Sequence, residues 1–308
     1  MTTVIAPVEE ALTRTFHGRT YQARIIHQRQ ARIAPIVLIG GAFQHQRAWG
    51  RVERGLLRTA TLITVDLPGA GADDALPADF GLDFLTDALD DLLTFVLGEA
   101  PVNVVGASYG SAIAHRWVRD HQQRTVRLAL IGTMSRLTED VRARMRHSVH
   151  QLQHGTRADF VDSVLNAMMC LAPEVAINRR VAVVRCLTSA LEQLSDREAA
   201  QYVENTHRLL NHRERGAGEQ VRVPVLVATG EHDPLTTPDL NREAATGCPD
   251  ARFTTIRDAD HLVHLERPTE VVDLVSRFLT GQSLDALGYC HAVEYGDRLS
   301  QRLVRQSR

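Results

Sequence analysis

The segment Gly106-Ala-Ser108-Tyr-Gly110 sets a serine between two glycines, each two residues away. A serine hydroxyl is a weak nucleophile unless a base takes its proton and an acid orients the base. The spacing serves that chemistry. Small residues two before and two after the serine allow a sharp turn from a strand into a helix, which pushes the hydroxyl into a cleft. The flanks agree, since Val102-Asn-Val-Val105 reads as a strand and the residues up to Val118 as a helix. Downstream, Thr229-Gly-Glu-His-Asp233-Pro follows the apolar run Val225-Leu-Val-Ala228, which puts Asp233 at a strand end. Glu231 and His232 are rivals there, and the turn through Asp233-Pro234 favours Asp233 as the inward acid. Arg257-Asp-Ala-Asp-His261-Leu-Val-His264-Leu-Glu266-Arg-Pro268 then follows a strand ending at Ile256. His261, in the loop, is the expected base. His264 falls on the same face if that turn is helical, and is expected to line the pocket.

Such groups need a scaffold that gathers strand ends. Short apolar runs alternate with helix-period segments, the pattern of a mostly parallel sheet covered by helices. The runs are Ile36 to Ile39, Leu62 to Val65, Val102 to Val105, Val126 to Ile131, Val223 to Ala228 and Phe253 to Ile256. Asp83 to Leu97 carries apolar residues at helical spacing and stops at Gly98. Between about Ser135 and Gly218 the alternation gives way to three helical stripes, one through Leu137, Val141 and Met145, a second through Phe160, Val164 and Met168, a third through Val184, Leu187 and Leu191. An all-helical insertion between two strands is expected to be a lid. The expected division is a core of residues 1–134 and 219–280, a helical cap at 135–218 and a tail at 281–308.

Composition narrows the chemistry further. The 308 residues carry a formal net charge of -2, which leaves no footprint for nucleic acid. All 35 basic side chains are arginine, so a lysine Schiff base and a P-loop lysine are both excluded. Cys170, Cys186, Cys248 and Cys290 form no close pairs and are expected to be buried, reduced thiols. His147, His150 and His154 share one helical face and read as the polar side of a cap helix, not a metal site. Gly69-Ala-Gly71 lacks the third glycine and following helix of a dinucleotide fingerprint. The start of the chain carries Glu9 and Glu10 where an export signal would be basic and then apolar, and no apolar run is long enough for membrane insertion. A cytoplasmic location is the default expectation.

Taken together, these residues resemble the α/β-hydrolase superfamily in its branch with a helical cap. The elbow around Ser108, Gly230-Glu-His-Asp-Pro234, the run His261 to Pro268 and Asp66-Leu-Pro-Gly-Ala-Gly71 occur in the family's order. The resemblance covers roughly Ile36 to Leu279 and implies an eight-stranded, mostly parallel sheet with an inserted all-helical cap. It also implies an oxyanion loop at Gly40-Gly-Ala-Phe43, with the N–H groups of Ala42 and Tyr109 as donors. Two departures stand out. Most members have His-Gly where this chain has Gly40-Gly41, and glycine usually precedes the histidine where Asp260 stands. A fainter similarity, through the absent His-Gly and the run L-P-G-A-G, is to the acyltransferase that builds rhamnolipid precursors from 3-hydroxyacyl thioesters.

The expected activity is that of a serine hydrolase, in which Ser108, Asp233 and His261 cleave an ester, thioester or lactone through an acyl-enzyme. Its expected partner is a small acyl molecule, free or carried as a thioester, with no cofactor, no metal and no nucleic acid. Phe43, Met134, Met168, Met169 and His264 are the candidate pocket residues. Three alternatives stay open: transfer of the acyl group to a hydroxyl or amine, non-hydrolytic lyase or oxygenase chemistry on the same fold, and a non-catalytic ligand receptor.

Overall fold

Along the central strands, successive side chains part to opposite faces with a period of two. Val37 and Ile39 join one apolar cluster while Ile36 and Leu38 join another, and Val225 and Val227 part in the same way from Leu226 and Ala228. A sheet that is apolar on both faces must be covered on both. The computed structural model describes residues 8–212 and 220–296 and shows how this is done.

The strands are β1 (Val8–Phe16), β2 (Arg19–His27), β3 (Ile36–Ile39), β4 (Leu62–Asp66), β5 (Val102–Ala107), β6 (Thr125–Ile131), β7 (Val225–Gly230), β8 (Ala251–Ile256) and β9 (Glu294–Tyr295). They form one sheet in the order β1-β2-β4-β3-β5-β6-β7-β8-β9. From β4 to β8 the pairing is parallel; β1, β2 and β9 are antiparallel. The fold class is the expected one, with nine strands among the described residues in place of eight. The addition is β9, a two-residue strand from the segment expected to be a tail.

Helix α1 (Gly50–Leu56) covers one face, α2 (Leu82–Leu97) and α3 (Tyr109–Asp120) the other. Among the described residues, four helices then separate β6 from β7: α4 (Glu139–His154), α5 (Arg157–Met168), α6 (Arg180–Glu192) and α7 (Asp196–Asn211). Thr156 and Ser195 open α5 and α7 with reciprocal capping boxes. After β7 come α8 (Pro238–Thr246), the short α9 (Val263–Glu266) and α10 (Pro268–Leu279), the last packing on the α1 face.

A third apolar cluster lies among the inserted helices. Phe160, Val164 and Met168 of α5 pack there with Leu187 and Leu191 of α6 and with Leu262, beside the expected base. Among the described residues no helix is long and apolar enough to cross a membrane. The cysteine reading needs correction: Cys248 and Cys290 are buried, but Cys170 is half-buried and Cys186 exposed, because Cys186 lies on the outward face of α6.

Candidate active site

Ser108 is the residue between β5 and α3, with φ 48° and ψ −119°, a conformation unfavourable for any side chain. Its two glycines make that turn possible. A Cβ on Gly110 would come within 2.3 Å of the Ile39 carbonyl oxygen, and one on Gly106 within 2.7 Å of the Ala114 Cβ. The Ser108 N–H donates to the Ile131 carbonyl at 2.8 Å, tying the elbow to the neighbouring strand.

Asp233 follows β7 and His261 follows β8, so three separate strand ends converge at the carboxyl edge of the sheet. Ser108 Oγ lies 2.9 Å from His261 Nε2, and His261 Nδ1 lies 2.9 Å from Asp233 Oδ2. An Nδ1–H donated to Asp233 leaves Nε2 free to accept the serine proton. The side chains of His261 and Asp233 are 1% and 0% exposed, which withdraws the pair from water.

A buried carboxylate must be satisfied by donors. Asp233 Oδ1 accepts the N–H groups of Leu235 and Thr236 at 2.9 and 2.8 Å, while Oδ2 accepts the Thr229 and Thr236 hydroxyls beside the imidazole. Neither threonine was foreseen, and no spacing rule singles them out. Burial disfavours the imidazolium of His261. The charge and hydrogen bond of Asp233, reinforced by the charge of Asp260, outweigh it and hold His261 above its ordinary value.

The rivals are placed elsewhere. Glu231 faces His291 at 2.7 Å and accepts the Asp258 N–H, away from the imidazole. His264 sits on α9 with its ring 6.4 Å from that of Trp49. Burial and the neighbouring His261 push it down to about 4, so it is neutral at ordinary pH.

The oxyanion loop runs directly against the elbow, and a Cβ on Gly41 would come 3.0 Å from that of Ser108. Among the described residues neither the Ala42 nor the Tyr109 N–H donates to a protein acceptor, which leaves both free for a ligand. The missing histidine has a replacement that the sequence did not reveal. Gln44 folds back so that its Oε1 accepts the Gly41 N–H at 3.1 Å, and its own N–H donates to the Gly41 carbonyl at 3.2 Å. It also fills the space of a side chain at position 40, where a Cβ would meet the Gln44 carbonyl oxygen at 2.8 Å.

Phe43 has φ 61°, and its ring stacks on Tyr202 of α7 with centroids 4.6 Å apart. Phe43, Met168 and Met169 belong to the same apolar cluster as Leu235 and as Leu262 and Leu265, the last two from the segment that follows His261. Met134, half-buried after β6, lies outside that cluster.

Residues 34–268 match the family model of the α/β hydrolase fold. Among curated proteins, the chain is 27% identical over 253 residues to a pimeloyl-[acyl-carrier protein] methyl ester esterase of Chromobacterium violaceum, covering 80% of this chain and 95% of the relative. It is 24% identical over 257 residues to an (E)-2-((N-methylformamido)methylene)succinate hydrolase of Acinetobacter baylyi, covering 80% and 90%. Among solved structures it resembles an α/β-hydrolase enzyme from a Medee basin deep-sea metagenome library, with a TM-score of 0.77 at 16% identity and coverage of 90% and 100%. The enol-lactonase of Burkholderia xenovorans gives 0.71 at 23%, covering 87% and 100%. At such identities the structural likeness speaks for the fold alone, and the family match, spanning most of the chain, decides the affiliation. The chain belongs to the α/β-hydrolase fold family.

Proposed function

We propose that this chain is a serine hydrolase that cleaves a carboxylic ester, thioester or lactone through an acyl-enzyme. The observation that carries the reading is the unbroken relay of two 2.9 Å contacts from Ser108 through His261 to Asp233, buried beside two unengaged amides. In the first half-reaction Ser108 Oγ attacks the carbonyl carbon as its proton passes to His261 Nε2. The developing oxyanion is met by the N–H groups of Ala42 and Tyr109, each typically worth about 3 kcal/mol in such a site. The intermediate collapses, and His261 returns the proton to the departing alcohol or thiol. Water enters in the second half-reaction. His261 takes its proton, the hydroxide oxygen bonds the acyl carbon, and Ser108 leaves with the proton that His261 gives back.

Asp233 accepts the Nδ1–H of His261 and holds its tautomer. The apolar cluster that reaches the base through Leu262, with Phe43, Met168, Met169, Leu235 and Leu265, favours an uncharged acyl group on a small molecule or a carried thioester. Relatives named as an ester esterase and a succinate-derivative hydrolase support hydrolysis as the reaction class. From them only the reacting group, a carboxyl derivative, is extended to this chain.

The test combines a fluorophosphonate probe with aryl esters of two to eight acyl carbons. One adduct by intact mass, lost in Ser108→Ala, is expected, together with a fall in kcat on the order of 10⁴–10⁶. The product should be free acid even with a hydroxy-acid acceptor present at low concentration. An unlabelled Ser108, or a Ser108→Ala variant keeping a tenth of the activity, sinks the nucleophile; dominant ester product replaces hydrolysis by acyl transfer.

A further inference from the structure

Asp260 immediately precedes the base and is fully buried, and Glu266, at the end of α9, is buried against it. The contacts of Asp260 are specific. Its Oδ1 accepts the Leu262 N–H at 3.1 Å and its Oδ2 the Cys170 N–H at 2.9 Å, so one carboxylate spans the base's loop and the segment after α5. Its own N–H donates to Glu266 Oε2 at 2.7 Å. The other oxygen of that carboxyl, Oε1, is buried and has no hydrogen-bond partner among the described residues.

The Asp260 N–H bond to Glu266 brings the two buried carboxyl groups together, and two buried like charges so close cannot both persist. A single shared proton removes the repulsion and supplies the missing donor. It belongs on Glu266, which accepts one backbone N–H, whereas Asp260 accepts two and has the His261 imidazole beside it.

We propose that Asp260 is a positioning residue for His261. It fastens the base's loop to the inserted helical segment at Cys170 and sets a second buried negative charge behind the imidazolium, with Glu266 kept neutral so that this charge is tolerated. The proposal rests on the reading of His261 as the base. The groups facing His261 are Ser108 from the β5–α3 elbow, Asp233 from the turn after β7, Asp260 from its own loop and His264 from α9. Glu266 feels Asp260 and, more weakly, Asp233. Among the described residues, Asp260 is thus the one charge besides Asp233 that favours protonation of the base.

The test is the pH profile of kcat/KM for aryl-ester hydrolysis in the wild type, Asp260→Asn, Asp260→Gly and Glu266→Gln. Glycine is the residue usual at this position in the family, so Asp260→Gly provides a second variant should the asparagine disturb folding. In both Asp260 variants the acid limb should move to lower pH by about half a unit to one unit, with kcat down roughly tenfold. Glu266→Gln reproduces the neutral partner, since its amide oxygen accepts the Asp260 N–H and its NH₂ donates to the carboxylate. Its acid limb should stay at the wild-type position. A limb left in place by both Asp260 changes overturns the proposal, because a purely structural residue would lower rate and melting temperature without moving it. A limb shifted by Glu266→Gln overturns it too, by showing that Glu266 carries charge. His261→Ala separates the two levels: if that variant keeps its activity the base assignment fails, and if it is inactive while the Asp260 limbs do not move, only the positioning role fails.

Discussion

Two histidines three residues apart differ in what surrounds them, and the proposed mechanism gives them different roles. His261 has Ser108 on one ring nitrogen and Asp233 on the other. His264 packs near Trp49 and is held neutral. His261→Ala should therefore be as damaging as Ser108→Ala, and the double variant little worse than either, because triad members act as a unit. His264→Ala should keep most of kcat and alter KM. Comparable loss of kcat in the two histidine variants would move the base assignment. A base works only when unprotonated, so kcat/KM should fall with decreasing pH around a midpoint above the ordinary imidazole value of 6.5, in the direction that Asp233 pushes His261. A midpoint below 6.5 would mean that desolvation prevails over Asp233. These residues were legible in the sequence because the elbow and the strand ends pin them to fixed spacings. Thr229, Thr236 and Gln44 were not, because a side chain that supports an active group can come from any nearby position that reaches it.

At the scale of elements, the six central strands announced themselves as short runs rich in apolar residues, because burial on both faces leaves few polar positions, among them Thr64, Asn103 and Thr254. β1 and β2 did not, since β1 is largely exposed and shows no apolar alternation. Helix α7 escaped for a different reason: the face it turns to the core is polar. Gln201 donates to the carbonyls of Gly71 and Asp73, Glu204 accepts the Ala78 N–H, and Arg208 donates to the carbonyls of Leu76, Pro77 and Phe80. Glu198 reaches His45 at 3.2 Å. Residues 198, 201, 205 and 208 share one helical face, so periodicity was present without hydrophobicity. Arg208 also meets the Tyr109 phenol at 3.2 Å, which ties α7 to the residue whose N–H is a candidate oxyanion donor. Replacing it strands the buried Leu76 carbonyl and takes a donor from those of Pro77 and Phe80, so Arg208→Met should lower unfolding stability by about 2 kcal/mol. Arg146→Ala, which removes a surface arginine paired with Glu139, should change it by less than about 0.5 kcal/mol. Urea unfolding compares the two, and equal effects would mean that α7 is not held through Arg208.

The whole molecule registers the same buried groups in its response to pH. Burial and the adjacent Asp260 push Glu266 from an ordinary 4.5 up to about 9. Between those values the native chain holds a proton that the unfolded chain has released. Unfolding then gives up a proton, and stability falls as pH rises across that window. His261 acts in the same sense: its folded value lies above 6.5, so its contribution is complete below 6.5 and is lost as pH rises through the folded value. Below 6.5 the buried His264 and His115, both held down by burial, act in the opposite sense, so it is from pH 7 to pH 9 that the wild type should melt at progressively lower temperature. Glu266→Gln removes one of the two causes, since an amide does not titrate and keeps the geometry of the protonated acid. Its melting temperature should fall less steeply than that of the wild type, with the gap between the proteins widening toward pH 9. Calorimetry at four or five pH values measures both slopes. Parallel slopes would show that Glu266 is already ionised at pH 7, and the buried charge beside the base would then need another source of neutrality.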